Sequence, residues 1–163
     1  MNTEGIELFV CRVDEPDGFR DYVTLVSPEV SFSRGLLPEA VVGVLSRLLQ
    51  PDEQITSDVF TRNRVFIDFM HEVIARHAPN DPNFKAEARR QHDGWIYIVD
   101  RRNPDLRDAP SEDIIGSFHI STDDAVPGSY QRNPDHRILS SRGFFNLGLY
   151  LNRALMDEML ARY

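Results

Sequence analysis

Strand periodicity and helical periodicity occupy separate blocks of this chain, and that separation constrains the fold more than any other feature. From Ile6 to Val13 the apolar residues alternate: Ile6, Leu8 and Val10 share one face, and Phe9, Cys11 and Val13 the other. Asp14-Glu15-Pro16-Asp17-Gly18 is turn chemistry, and a second strand follows near Tyr22 to Val26, closed off by Pro28. Together they predict an antiparallel hairpin. Helical spacing then takes over. Leu37, Val41, Val44, Leu45 and Leu48, behind Pro38, predict a helix over 37–49. Phe66, Phe69, Met70, Val73 and Ile74 mark a longer helix from about Ser57 to His77, stopped by Pro79. Asp81-Pro82 reads as an N-cap and first-turn proline, opening a short polar helix that runs to Gln91.

Strand character returns after Asp93-Gly94. Trp95-Ile96-Tyr97-Ile98-Val99 predicts a strand covered on both faces. A polar loop, 101–113, separates it from a strand over Ile114 to Ile120. There Ile114, Phe118 and Ile120 face one way, and Ile115, Ser117 and His119 the other. Residues 122–142 read as irregular. A last helix, from about Phe144 to Arg162, carries Leu147, Leu151, Leu155 and Met159 on one stripe. The order β-β-α-α-α-β-β-α predicts an α+β fold: one domain over 1–163, with a four-stranded, mainly antiparallel sheet and helices packed on one face.

Composition narrows the function classes. The longest apolar run is Trp95 to Val99, far short of the roughly 20 residues that span a bilayer, so no membrane partner is expected. Met1-Asn2-Thr3-Glu4-Gly5 has no basic leader and no apolar run behind it, and Cys11 is the one cysteine; both point to a cytoplasmic location. A net charge of −8 argues against nucleic acid as a partner, because phosphates need a positive surface. It suits a basic protein partner instead. All the bases except Lys85 are Arg, a bias of the kind a GC-rich bacterial genome imposes.

The motifs of the commonest enzymes are missing. There is no Gly-x-Ser-x-Gly elbow, no phosphate loop, no Gly-x-Gly-x-x-Gly and no His-Glu-x-x-His. Nothing in the spacing asks for a metal or a cofactor. Cys11, mid-strand, reads as a buried structural thiol.

One pattern repeats. Arg102-Asn103-Pro104-Asp105-Leu106-Arg107 returns as Arg132-Asn133-Pro134-Asp135-His136-Arg137. Two readings compete: a pair of Arg-bearing loops around one anion, or Asn-Pro-Asp turn chemistry used twice. The long 122–142 segment supplies the candidate site, namely Tyr130 as an apolar wall, Arg132, His136 and Arg137 beside it, and His119 from the preceding strand. The rival expectation is that these arginines pair with Asp123, Asp124 and Asp135 and only pin the loop down.

The sequence favours a non-catalytic binding or protein-interaction module, with a basic protein or a small anionic ligand as partner. The alternative is an enzyme, or an anion binder, with its site around 122–142. Self-assembly is a third reading, and nothing in the sequence specifies an oligomeric state.

Overall fold

A computed structural model describes residues 5–163; the Met1–Glu4 segment lies outside the described residues. The chain is α+β. Its first sheet has four antiparallel strands in the order β1-β2-β3-β4: β1 (Phe9–Glu15), β2 (Gly18–Thr24), β3 (Val41–Leu45) and β4 (Phe60–Arg62). The expected first hairpin is β1 and β2, paired from Phe9↔Thr24 to Glu15↔Gly18. Cys11 is buried in it. Pro28 does end the strand run, but by opening a short helix, α1 (Pro28–Arg34), capped by Ser27.

The predicted helix over 37–49 is absent. Pro38–Ala40 makes one 3-10 turn, and the chain then runs straight on as β3. The apolar residues happened to fall at helical intervals, but Val41-Val42-Gly43-Val44 combines β-branched residues with a glycine, and both oppose a helix. Gly43 is required in the strand. A Cβ there would lie 2.4 Å from the Phe60 ring and 2.5 Å from the Thr61 carbonyl of β4.

The helix expected from Ser57 starts later, as α2 (Arg64–His77), because β4 takes the preceding residues. The Asn63 side chain caps it by accepting from Val65 N, while its amide bonds to the carbonyls of Pro38 and Val41. The predicted stripe is right: Phe66, Phe69, Met70, Val73 and Ile74 are all buried. Next, α3 (Pro82–Gln91) begins as expected, with Asp81 accepting from Asn83 N.

A second antiparallel sheet contains β5 (Gly94–Val99), β6 (Ile114–Ser121) and β7 (Asp124–Ala125), with β8 (Gln131–Arg132) also paired to β6. The two expected hairpins therefore belong to different sheets. The strand over 95–99 is not covered on both faces. Ile96 is buried, whereas Trp95 and Tyr97 are 43% and 59% exposed. The 122–142 segment is more ordered than expected, and β8 folds back on β6 through Gly116↔Arg132 and Ser117↔Gln131. A small ladder, β9 (Leu139–Ser140) with β10 (Gly143–Phe144), leads into α4 (Leu149–Leu160). That helix is shorter than predicted, but Leu147, Leu151, Leu155 and Met159 are buried as read.

One cluster of buried side chains joins both sheets to α2, α3 and α4. Edge-on ring pairs mark its seams: Phe84 lies 5.2 Å from Phe118, and Phe60 lies 5.5 Å from Phe144. Among the described residues, no helix is long and apolar enough to cross a membrane.

Candidate functional site

The site is built on a buried polar knot. Asp100 follows β5, and Asp113 ends a 3-10 turn before β6; both are fully buried. Arg102, its side chain 3% exposed, joins them: Nε donates to Asp113 Oδ1 (2.9 Å) and lies 3.6 Å from Asp100 Oδ2. Its Nη atoms donate to the carbonyls of Glu112 (3.1 Å), Gly143 (3.1 Å) and Ile138 (3.3 Å). A buried guanidinium is tolerated only when its donors are spent in this way. Asp100 Oδ1 also accepts from Arg102 N (3.1 Å) and Asn146 N (2.9 Å), and Asn103 Nδ2 donates to Asp113 Oδ2 (3.0 Å).

The repeated hexapeptide is turn chemistry in both places. Asn103 Oδ1 accepts from Asp105 N (2.9 Å), and Asn133 Oδ1 from Asp135 N (3.2 Å). Both asparagines then use their amide to hold the 111–114 segment. Asn103 does so through Asp113, and Asn133 through the carbonyls of Ser111 and Ile114 (both 2.8 Å).

Between α2 and the second repeat lies a cavity of about 420 Å³. Arg64, Asp68 and His71 reach it from α2, at positions i, i+4 and i+7 on one helix face. Arg62, Arg132, Asn133 and His136 complete the polar lining among the described residues. His71 and His136 are only 4% and 5% exposed.

Each ring spends one nitrogen on the protein. His136 Nε2 donates to Asp100 Oδ2 (3.0 Å), so the knot orients this ring and leaves Nδ1 for the cavity. His71 Nδ1 lies 2.7 Å from the Tyr130 hydroxyl. That hydroxyl has no other acceptor among the described residues, so it donates to Nδ1, and the His71 proton sits on Nε2. Neither His71 Nε2 nor His136 Nδ1 has a protein partner among the described residues.

Burial, and then the charge of Arg132, holds the His71 pKa down at about 4, so this ring is neutral at pH 7. Burial pushes the Tyr130 phenol up, which keeps its proton in place. The Arg132 guanidinium, 2.7 Å from Asp68, holds that carboxyl below its usual range. Among the described residues, Asp68 is the one carboxylate on a lining that also holds Arg62, Arg64 and Arg132. Among the described residues, Arg62 and Arg64 form no ion pair.

The five residues singled out from the sequence divide. Arg132 and His136 meet at the cavity. Tyr130 stands behind it, lying over Gly116, where a Cβ would come within 2.5 Å of its hydroxyl oxygen. It packs on Phe118 and on the His71 ring. His119 is elsewhere, exposed and stacked on Trp95 at 5.1 Å. Strand alternation places it on the open face of the sheet. Arg137 is 65% exposed and faces Glu112 at 3.9 Å, away from the cavity. The carboxylates that meet the two arginines are Asp68 and Glu112, not Asp123, Asp124 or Asp135.

Sequence reading missed Arg62, Arg64, Asp68 and His71. The signal was present in the polar i, i+4, i+7 set beside the apolar stripe of α2. Among the described residues, no group of three or more His, Cys, Asp or Glu side chains is placed to hold a metal ion. Compared with protein-family models, with curated proteins and with solved structures, the chain matches none.

Proposed function

We propose that this chain is a binding module and that the cavity between α2 and the 131–136 segment takes a small anionic ligand. The observation that carries the reading is the pair of nearly buried histidines, each with one ring nitrogen unspent, set beside three arginines and one carboxylate. His71 Nε2–H is a donor, and Arg62, Arg64 and Arg132 supply charge and fork-shaped donors that match a phosphate or carboxylate. A cavity of about 420 Å³ suits a small metabolite or its anionic end.

Inorganic phosphate and citrate are the probes. At about 100 times its Kd, a bound anion stabilises by about 2.7 kcal/mol, which moves the melting midpoint of a domain this size by about 5–10 °C. The Arg64→Ala/Arg132→Ala double variant is expected to lose that shift, and Arg137→Ala to keep it. No shift in the unaltered protein, or an equal shift in the double variant, overturns the reading.

The Asp100–His136 pair favours a second reading, because a carboxylate that holds Nε2 leaves Nδ1 oriented as a general base would be. Among the described residues, no Ser, Thr or Cys lines the cavity, so such chemistry would use water as the nucleophile. Turnover of an activated phosphate ester, abolished in His136→Asn with phosphate binding retained, would favour that reading.

A further inference from the structure

The edge of the second sheet is open. On β6, the His119 and Ile115 carbonyls accept from Val126 N (2.8 Å) and Asn133 N (2.9 Å), on the side away from β5. The even-numbered residues of β6 therefore bond to β5, through Gly94, Ile96 and Ile98. Trp95 and Tyr97 turn their N–H and C=O outward, where no described strand lies beside them. Natural edges are usually blunted by Lys, Pro or a covering loop, yet Gly94–Val99 carries no charge and no proline.

This edge forms one wall of a groove of about 890 Å³. Leu106, 40% exposed, and the half-buried Ile98 and Val99 supply apolar surface along it; Phe84 of α3, Leu147 and Leu151 line it but are buried. Among the described residues, the groove shares no lining residue with the anion cavity. We infer that it is a docking site for an extended peptide segment of a partner protein, which adds a strand to β5, places alternate apolar side chains in the groove and carries an acidic residue.

The unpaired main-chain groups specify an extended occupant, since only a strand matches their spacing. The charges specify its sign. Asp81 is committed to Asn83 N, and Glu87 to Arg90 and Gln91. Arg101 and Arg107, on the groove lining, form no ion pair among the described residues. A second copy of this chain fits less well, because it would bring the same arginines to the same place.

The test selects a random-octapeptide display library on the immobilised full chain. Selected peptides are expected to alternate apolar residues and to carry Asp or Glu. They should slow amide exchange at Trp95 and Tyr97 by about tenfold or more. N-methylating the peptide's edge-facing amides should abolish binding. Arg107→Glu, a surface change, should weaken it about tenfold, which is about 1.4 kcal/mol. The inference is overturned by a selection that yields no binder, by peptides that protect other amides, or by protection of Trp95 and Tyr97 in the peptide-free protein as its concentration rises, which would mean pairing between copies.

Discussion

Arg102 and Arg132 open the same hexapeptide and meet opposite fates. Arg102 is buried, with its donors spent on Asp113, on the fringe of Asp100 and on three carbonyls. Arg132 is half exposed and has one exposed partner, Asp68, at 2.7 Å. The turns themselves are alike, each closed by its asparagine. The surroundings make the difference. The first repeat leaves β5 into the space between two buried carboxylates, and the second leaves β8 beside the polar face of α2. A motif read from sequence thus specifies a local bend, while its tertiary neighbours decide whether its arginine holds the fold together or stays available to a ligand.

The largest effect should come from breaking the buried side of this comparison. Arg102→Ala removes the guanidinium between two fully buried carboxylates, leaving Asp100 to His136 and Asn146 N and Asp113 to Asn103 and Arg142, and is expected to cost about 3–5 kcal/mol, measured by urea unfolding. A cost below about 1 kcal/mol would mean that the knot is not structural.

Protonation of His71 comes next. Its folded pKa, about 4, lies below the ordinary 6.5, so between those values the unfolded chain binds the proton more tightly. Stability is therefore expected to be at full strength above pH 6.5 and to fall by about 3 kcal/mol as pH drops to 4. The slope over that window should flatten in His71→Gln. If the unaltered protein and the variant share one pH profile, His71 is not the group responsible.

Much of this was legible in the residues, and the misses have physical causes. Period-two alternation found the β1–β2 hairpin, and the apolar stripes found α2 and α4, because those patterns report burial directly. The same logic misplaced β3, where a strand between two neighbours is apolar throughout and imitates a helix face. Tyr130, Arg132 and His136 were found because they cluster in one long segment. His71 was passed over because its partner Tyr130 is 59 residues away, and no local pattern announces that bond.

A smaller effect tests how Tyr130 is seated. Gly116→Ala would set a methyl group 2.5 Å from the Tyr130 hydroxyl oxygen and 2.7 Å from the Gln131 carbonyl. The expected loss is about 1–3 kcal/mol, together with a rise in the His71 pKa, read by NMR, as the site opens to water. An unchanged His71 titration would place Tyr130 outside the site.

Smallest of all, Arg132→Ala should cost less than about 1 kcal/mol in urea unfolding, because an exposed pair contributes little. A cost equal to that of Arg102→Ala would erase the contrast between the two repeats.

The most direct measurement follows the His71 ring by NMR from pH 3.5 to 7, with and without inorganic phosphate. Burial first, and then Arg132 and His136, disfavour its protonation, and a phosphate bound beside it would oppose the charge contribution. Saturating phosphate is expected to raise the His71 midpoint from about 4 by about one unit or more, and Arg64→Ala/Arg132→Ala to remove the rise. A midpoint that stays near 4 at every phosphate concentration would contradict an anion site in this cavity.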